Sequence, residues 1–320
     1  MKKVKILISG ATGFVGKPLI KALKNSFYDI FPVVRNTSKS ISETNDVVVS
    51  GIDSNTDWKN YLDEINTVIH CAARVHVMKE TTSDPLEDFR EVNVLGAMNL
   101  AKSAVKAGVK RFVFISSIKV NGASTTGTVP YLPSDKPVPE DPYGISKAEA
   151  EEQLLVLGKK TGMEVVIIRP PLVYGPGVKA NFAMMLKLAS FGIPLPFGRI
   201  VDNRRSMVYV ENLVDLIVKC ISHPNAANQT FLVSDDDDLS TARMVKELST
   251  AMGGKGWSLP IPPKIFEIAG RITGKSEVVE RLCGSLQVDI TKTKELLNWG
   301  PPFTVKEGFA NTVKHFLQNK

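Results

Sequence analysis

The sequence contains only three cysteines among its 320 residues, and Cys71, Cys220 and Cys283 are far apart. An odd number without metal-ligand spacing argues against a disulfide framework and favours a reducing compartment. The sequence also lacks any run of 18 apolar residues, so no integral membrane segment is expected. The opening MKKVKILISGATG lacks the apolar region and cleavage site of a signal peptide. These absences predict a cytoplasmic protein.

An excess of charge of one sign is also missing. Forty basic and 33 acidic residues leave a net charge of +7, and the basic residues are scattered along the chain. A nucleic-acid-binding protein would need a concentrated basic face with stacking aromatics, so we expect no nucleic acid partner. The run Asp235–Asp238 lacks the alternating ligands and the glycine of a calcium loop. The four histidines have no metal-ligand spacing, so no metal site is predicted.

The first half of the sequence alternates short apolar runs with helical patterns. Six runs are typical of buried strands: VKILISG, DIFPVVRN, NDVVVSG, NTVIHCAA, KRFVFISS and MEVVIIRP. The longest helical pattern follows Asp84, a candidate cap, with Pro85 at the first helical position. Strands that alternate with helices predict a mostly parallel sheet covered on both faces. After Pro170, proline- and glycine-rich stretches between helical pieces indicate a smaller, less regular cap.

A glycine-rich turn joins the first predicted strand to the first predicted helix. Gly10, Gly13 and Gly16 form the pattern G-x-x-G-x-x-G. Without Cβ atoms the backbone can approach a pyrophosphate, which then lies at the helix N-terminus. The position between a strand and a helix confirms the context that this motif needs, so we predict dinucleotide binding.

A tyrosine and a lysine stand four residues apart in EDPYGISKAEAEEQ, at the head of a predicted helix. Tyr143 and Lys147 are one helical turn apart, so their side chains share a face. An ammonium beside a phenol stabilises the phenolate and lowers the tyrosine pKa. Such a pair can catalyse proton transfer near neutral pH. Taken alone, the pair is also compatible with a surface turn that has no function.

These motifs together resemble the extended branch of the short-chain dehydrogenase/reductase family, whose members are NAD(P)-dependent nucleotide-sugar epimerases, dehydratases and reductases. The resemblance includes HCAA, Asn93, FISS, RPPLVYGPG and RRSMVYVENL, and covers essentially the whole chain. Within the family, the sequence is similar to UDP-glucose 4-epimerases and to UDP-4-keto-6-deoxy-N-acetylhexosamine 4-reductases of bacterial polysaccharide pathways. The resemblance implies an α/β fold: a Rossmann-type doubly wound parallel sheet with a smaller, partly interleaved C-terminal substrate-binding cap. We expect an NAD(P)-binding domain at residues 1–170 and the cap at residues 171–320.

The resemblance also implies roles for particular residues. Tyr143 would exchange a proton with a sugar hydroxyl, Lys147 would lower its pKa and bind the nicotinamide ribose, and Ser117 would bond the reacting oxygen. Ser116, one residue earlier, is the competing choice for this role, and its side chain points to the other face of the strand. The cofactor-binding residues would be Gly10, Thr12, Gly13, Phe14, Val15, Gly16, Arg35, Ile52, Asp53, Cys71, Ala72, Ala73, Asn93, Tyr143, Lys147 and Pro170. The substrate-binding residues would be Arg74, His76, Ser117, Asn181, Arg205 and Arg281.

Two departures from the family pattern bear on the activity. Arg35 stands where NAD-preferring members carry an acidic residue; since arginine attracts a 2′-phosphate, it favours NADP over NAD. Ile118 and Lys119 stand where dehydratases carry Asp-Glu, which argues against a dehydratase. The leading hypothesis is a 4-epimerase that moves a hydride at C4 of a UDP-hexose or UDP-N-acetylhexosamine. The alternatives are an NADPH-dependent 4-keto reductase of a UDP-4-keto-6-deoxy sugar and a non-catalytic NADP-binding module.

Two expectations concern partners. Relatives pair through the helices that carry Asn93 and Tyr143, so the resemblance implies a homodimer. The stretch LPIPPKIFEIAGRITGK is apolar and basic enough to permit contact with a membrane surface, where a sugar could be presented on a lipid. The alternative for this stretch is a cap helix packed against the core.

Overall fold

The computed structural model of the chain describes residues 3–24, 26–35, 45–75 and 84–319, without the side chains of residues 180 and 181. A seven-stranded sheet has the order β3-β2-β1-β4-β5-β6-β9, and every neighbouring pair is parallel. A separate pair, β7 and β8, is also parallel. The strands are β1 (Val4–Ser9), β2 (Tyr28–Val34), β3 (Val47–Val48), β4 (Thr67–His70), β5 (Arg111–Ile115), β6 (Glu164–Arg169), β7 (Leu172–Tyr174), β8 (Met207–Tyr209) and β9 (Thr230–Leu232).

Helices cover both faces of the sheet. They are α1 (Gly16–Leu23), α2 (Pro85–Arg90), α3 (Ala97–Lys106), α4 (Pro142–Thr161), α5 (Ala180–Ala189), α6 (Val210–Ser222), α7 (Thr241–Ala251), α8 (Pro263–Ile272), α9 (Ser276–Cys283), α10 (Thr291–Leu297) and α11 (Val305–Gln318). A π-helical turn, Glu91–Gly96, joins α2 to α3, and short 3₁₀ turns lie at Ile118–Val120 and Pro224–Ala226.

The alternating side chains of β1 show why the sheet is doubly wound. Ile6 and Ile8 pack into one core cluster with α1 and α6, whereas Leu7 packs into a second cluster with α3 and α4. All three are fully buried. A strand buried on both faces needs a continuous apolar run, which is the pattern predicted for it. The predicted Rossmann-type parallel sheet is therefore confirmed.

The second half of the chain contributes to the sheet as well as to the cap. After β8, helix α6 packs against α1, and β9 then pairs with β6 at the edge of the sheet. A third core cluster lies around Tyr174, Phe182 and Phe309, between β7, β8 and the helices α5, α7 and α11. The chain thus returns to the large sheet after leaving it. Its strand there, β9, was not predicted from the sequence.

The long helix predicted after Asp84 is present but interrupted. The Asp84 carboxylate accepts hydrogen bonds from the N–H groups of Leu86 and Glu87, which confirms the predicted cap. The π-helical turn lies where Gly96 meets the loop after β3: a Cβ at Gly96 would lie 2.7 Å from the carbonyl oxygen of Ile52. Such π turns are frequent at functional sites, and this one contains Asn93.

No described helix is both long enough and apolar enough to cross a membrane. In the same part of the chain, no group of three or more histidine, cysteine, aspartate or glutamate side chains is arranged to hold a metal ion.

Candidate active site

The backbone of the glycine turn between β1 and α1 is tightly packed. Gly10 has a φ of 71°, and a Cβ there would lie 2.6 Å from the backbone nitrogen of Ala72. A Cβ at Gly16 would lie 2.2 Å from the carbonyl oxygen of Gly10, and the Gly13 N–H donates to that oxygen at 2.9 Å. Only glycine permits this packing. The predicted Thr12, Phe14 and Val15 lie in the same turn.

The start of α1 and the end of β4 meet at this turn. Among the described residues, no side chain caps α1. The N–H groups of Lys17 and Leu19 donate to the carbonyls of Gly13 and Val15 at 3.1 and 3.2 Å, so the positive end of the helix dipole, rather than a full set of free N–H groups, is what this end offers to an anion. Cys71, Ala72 and Ala73 follow β4, and the Cys71 N–H donates to the carbonyl of Ser9 at 3.1 Å. Burial raises the pKa of the Cys71 thiol to about 12, an effect that Lys147 partly offsets. The thiol is therefore neutral, as expected for a small buried side chain.

Lys147 is fully buried on the sheet-facing side of α4. Its ammonium nitrogen lies 3.7 Å from the ring centroid of Phe114 in β5 and has no hydrogen-bond partner in the described chain. Burial lowers the pKa of Lys147 to about 7, while the neighbouring Glu151 and Cys71 raise it. A buried ammonium needs polar partners. Lys147 therefore has donors to offer to a ligand in the crevice.

Tyr143 lies half-buried four residues before Lys147, against the edge of Phe89, with ring centroids 6.1 Å apart. Burial raises the pKa of Tyr143, the Asp141 carboxylate raises it further, and a hydrogen bond with the Ser117 side chain lowers it. The expected lowering by Lys147 is not found, because that ammonium lies over Phe114 and its own pKa is depressed. The phenol is neutral in this arrangement, and an added positive charge would be needed to make it a base.

The structure distinguishes between the two candidate serines. Ser117 precedes the 3₁₀ turn, where its hydroxyl accepts from the Lys119 N–H at 3.2 Å. The same side chain is near enough to Tyr143 to lower the pKa of the phenol. Ser116 is buried, and its hydroxyl has no partner within the described residues. The two side chains leave the strand end in opposite directions. Ser117 therefore lies with Tyr143 and Ser116 does not.

An ion pair that the sequence did not single out flanks the tyrosine. The Lys119 ammonium pairs with the Asp141 carboxylate and lies 5.9 Å from the ring centroid of Tyr143. Asp141 also caps α4, accepting from the Gly144 N–H at 2.7 Å. The signal was present in the sequence, because Asp141-Pro142 repeats the cap-and-proline pattern of Asp84-Pro85.

A buried ion pair lies behind Lys147. The Arg169 guanidinium forms a paired hydrogen bond with the Glu151 carboxylate, with N–O distances of 2.6 and 3.0 Å, and also donates to Asn121 at 2.9 Å. Both side chains of the pair are nearly inaccessible. Glu151 is one turn beyond Lys147 and raises its pKa. This pair fixes α4 to the end of β6 and supplies negative charge below the ammonium.

Asn93 connects the long helix to its neighbours. Its amide oxygen accepts from the Arg74 N–H at 2.8 Å, and its nitrogen donates to the Arg74 carbonyl and the Ser146 hydroxyl at 3.1 and 3.0 Å. Both amide hydrogens are thus used by the protein, one toward the segment after β4 and one toward α4. Its contact with a cofactor stays a prediction, and so does that of Pro170, whose carbonyl accepts from the Ile118 N–H at 3.0 Å.

Three of the predicted cofactor-binding residues, Arg35, Ile52 and Asp53, follow β2 and β3. Arg35 follows β2 and is exposed. Ile52 packs against the second core cluster. The Asp53 carboxylate accepts from the Asn55 N–H at 2.9 Å and the Thr56 hydroxyl at 3.1 Å, in a local turn.

The predicted substrate residues are spread over the crevice and the cap. The Arg74 side chain is tied to α2 through Asp88 at 3.0 Å. Arg205 donates to the Gly284 carbonyl at 3.2 Å, and its pKa is lowered by burial and by the nearby Arg281. Two adjacent guanidinium groups suit an anion. His76 and the Asn181 side chain lie outside the described residues.

These features fit a dinucleotide. The glycine turn has no room for a Cβ, so its backbone is open to close approach by a ligand. The end of α1 without a side-chain cap suits a pyrophosphate, and Lys147 has donors for ribose hydroxyls. The predicted catalytic Ser117 follows β5, and Lys147 on α4 lies over Phe114 of the same strand, near the carboxyl ends of the strands, where open parallel sheets bind their ligands.

Comparisons with known proteins agree with this geometry. The model of the NAD-dependent epimerase/dehydratase family matches residues 6–234. The chain is 52% identical over 316 residues to a UDP-glucose 4-epimerase of Vibrio cholerae, covering 98% of this chain and 95% of that one. It is 27% identical over 326 residues to the N-acetyl-alpha-D-glucosaminyl-diphospho-ditrans,octacis-undecaprenol 4-epimerase of Escherichia coli O157:H7, covering 97% and 94%. The UDP-N-acetylglucosamine 4-epimerase of Bacillus cereus has the same fold, with a TM-score of 0.77 at 20% identity over 99% of this chain and 100% of that one.

Proposed function

Because the chain belongs to the NAD-dependent epimerase/dehydratase family, we propose that it is a sugar-nucleotide 4-epimerase that inverts C4 of a UDP-hexose or UDP-N-acetylhexosamine. The observation that carries the proposal is the buried, unpartnered ammonium of Lys147 one turn after Tyr143, whose pKa the Ser117 side chain lowers. The V. cholerae relative, which is named for this activity, is similar over nearly the whole chain. Retention of the Tyr143–Lys147 pair supports an enzyme over a non-catalytic NADP-binding module.

The chain's own residues move the proton. A bound nicotinamide supplies a hydride acceptor and donor for C4. Tyr143, hydrogen-bonded to Ser117, takes the proton of the C4 hydroxyl and later returns it. Lys147 would hold the ribose of the cofactor, and the positive charge of the oxidised ring would offset the burial and the Asp141 charge that raise the pKa of Tyr143. Ser117 holds the reacting oxygen in line.

The nucleotide end of the substrate would lie against the cap. Arg281 is close enough to lower the pKa of Arg205, which is half-buried. A diphosphate between them would relieve this repulsion through charge-assisted hydrogen bonds. Asn181, Arg74 and His76 complete the proposed substrate-binding set.

Arg35 favours a second candidate, an NADPH-dependent 4-keto reductase of a UDP-4-keto-6-deoxy sugar. Its exposed guanidinium follows β2, where a 2′-phosphate would be attracted. A reductase uses the same Tyr143 to donate the proton, but the cofactor is consumed. We therefore propose NADP or NAD as the cofactor, with NADP favoured by Arg35.

One experiment decides between the two activities. The protein is incubated with UDP-sugars and with 4-keto sugars, with NAD and NADPH in turn, and the products are analysed by NMR. A C4 isomer formed without net cofactor consumption supports the epimerase, and cofactor consumed in proportion to product supports the reductase. A lack of turnover with every pairing would contradict both.

Two further properties belong to the proposal. A homodimer through the helices that carry Asn93 and Tyr143 is supported by the half-exposed Leu95, in the π-helical turn before α3, and Val156, on α4. A cytoplasmic location is supported by three free cysteines. We also propose the division at residue 170, although β9 belongs to the sheet.

A further inference from the structure

The helix α8 is built with its apolar stripe facing solvent. Ile265, Ile268 and Ile272 are spaced three and four residues apart, so they share one face of the helix, and they are 52%, 58% and 80% exposed. The opposite face contacts the protein through Phe266, whose ring packs on Phe197, and through Gly270, which is close to Val279. A cap helix packed on the core would have the reverse arrangement, so that alternative is wrong for this stretch.

Neighbouring loops extend this exposed apolar surface. The segment after α5 is joined to the segment before α8 by a bridge between Leu195 and Ser258 and a hydrogen bond from Leu259 to Leu195. We call residues 184–201 and 255–281 the apolar cap surface. These 45 residues contain ten of the 21 exposed large apolar side chains in the described chain: Met184, Phe191, Ile193, Val201, Trp257, Leu259, Ile265, Ile268, Ile272 and Val278.

Such a concentration is unusual for a surface that faces only water. Single exposed apolar residues are common, whereas a patch of them marks an interaction site. The exposed indole of Trp257, with the Lys255 ammonium 5.4 Å from its ring centroid, is an aromatic–cation pair suited to a polar–apolar boundary.

The charge of the apolar cap surface identifies its partner. It carries seven basic side chains and three acidic ones, a net +4 within 45 residues, whereas the whole chain carries +7. The basic residues are Lys187, Arg199, Lys255, Lys264, Arg271, Lys275 and Arg281, and the acidic ones are Glu267, Glu277 and Glu280. On α8, Lys264 and Arg271 flank the isoleucine stripe on one side.

We propose that the apolar cap surface binds the anionic surface of a phospholipid bilayer, with α8 lying in the plane of the interface. The isoleucine stripe and Trp257 enter the headgroup boundary, while Lys264, Arg271 and Lys275 contact lipid phosphates. A symmetric contact with a second copy would bring two surfaces of the same positive charge together, which is unfavourable. The partner with complementary charge is an anionic membrane.

Vesicle binding tests this proposal on the full chain. The protein is sedimented with vesicles of phosphatidylglycerol and phosphatidylethanolamine, and with vesicles of phosphatidylcholine alone. Binding is expected to the anionic vesicles only and to weaken with added salt. Ile268→Glu/Ile272→Glu and Lys264→Glu/Arg271→Glu are each expected to lower the partition coefficient by roughly tenfold or more. Phe27→Glu, at a side chain that is 90% exposed elsewhere, is the matched control and should bind as wild type.

Tryptophan fluorescence reports the same event at one residue. Of the three tryptophans, Trp58 and Trp299 are buried at 1% and 7% exposure, whereas Trp257 is 70% exposed. Anionic vesicles should shift the emission to shorter wavelength, and Trp257→Phe should abolish this shift. Turnover of a water-soluble UDP-sugar should be unchanged in all these variants, which separates the membrane proposal from the proposed activity.

Three results would overturn the proposal. The first is a wild-type protein that ignores anionic vesicles in both assays. The second is an Ile268→Glu/Ile272→Glu variant that binds as well as wild type. The third is a vesicle-free scattering mass that falls by half in that variant, because the apolar cap surface would then be a subunit interface.

Discussion

At the residue scale, Lys147 carries a buried charge that the fold alone does not satisfy. Its environment is the face of Phe114, the uncharged side chains of His70 and Cys71 at the end of β4, and the Glu151 carboxylate, which is already paired with Arg169. Burial, with Lys147 adding to it, lowers the pKa of His70 to about 3, so that the ring is neutral; its Nδ1 lies 2.7 Å from the Ser9 hydroxyl. The ammonium thus has charge and donors available for a ligand, and the protein bears the cost of keeping them buried.

This cost predicts a stability effect with a definite sign. The pKa of Lys147 is about 7 in the folded chain and 10.5 when unperturbed, so the unfolded chain binds more protons between these values. Stability attributable to Lys147 therefore rises as pH increases above about 7. Lys147→Met should raise the Tm at pH 7 and flatten the rise in Tm between pH 7 and the ordinary lysine pKa of 10.5. Calorimetry of both proteins without cofactor checks this.

A lower Tm at pH 7 in Lys147→Met would contradict the burial argument. Lys17→Met, in an exposed position on α1, is the matched control and should leave the pH dependence unchanged. The same Lys147→Met protein should lose turnover, so stability and activity should change in opposite directions.

At the element scale, the start of α4 sets the protonation of Tyr143. Asp141 caps the helix and raises the pKa of Tyr143, and Lys119 pairs with Asp141. Asp141→Asn should move the acidic limb of the kcat/KM profile to lower pH by roughly one unit, because a negative charge is removed. Lys119→Met should move it to higher pH, because the carboxylate is left uncompensated.

The control for this pair is a cap without a nearby phenol. Asp84→Asn changes the equivalent capping residue of α2, so it should leave the pH profile of kcat/KM in place. Shifts of Asp141→Asn and Lys119→Met in the same direction would show that neither charge acts on Tyr143 directly.

The buried Arg169–Glu151 pair joins α4 to β6. Glu151→Gln leaves the Arg169 charge without its partner and should lower the free energy of unfolding by about 3 kcal/mol. Glu151→Met/Arg169→Met removes both charges and should recover much of this loss. Urea unfolding measures both values. Equal losses in the single and double variants would mean that the packing volume matters and the charge does not.

Several elements were predictable because their patterns are local. The strands of the first half are continuous apolar runs that end at turns, and both aspartate-proline caps have a signature within two residues. β9 was missed because it is three residues long and gains its place only by pairing with β6. The π-helical turn was missed because it packs closely against the loop at Ile52, which is distant in sequence.

The candidate site was predictable to a similar extent. The glycine turn and the Tyr143–Lys147 pair follow from spacing. Phe114 could not be recognised, because an aromatic residue in a buried strand resembles any core residue until Lys147 is placed over it. The raised pKa of Tyr143 also depends on burial and on Asp141, which the spacing of four residues does not contain.

At the scale of the whole molecule, the two halves of the chain share one core. Leu213, Leu216 and Phe231 belong to the same core cluster as Ile6 and Leu19. A fragment of residues 1–170 would lose α6 and β9 and expose that face of the sheet. We therefore expect it to lack cooperative urea unfolding, whereas a fragment of residues 1–240, which keeps both elements, should regain part of the cooperativity. A two-state transition in the shorter fragment would contradict this.

In the proposed mechanism, Tyr143 exchanges a proton at the C4 oxygen of the sugar, and the hydride that is taken from C4 is returned to C4. The most direct measurement follows UDP-glucose deuterated at C4 by NMR, with catalytic enzyme and bound cofactor. The account predicts the C4 isomer with deuterium still at C4 and no net cofactor consumption, and turnover lowered by about 10²-fold or more in Tyr143→Phe. Loss of the label to solvent, or an undiminished rate in Tyr143→Phe, would contradict it.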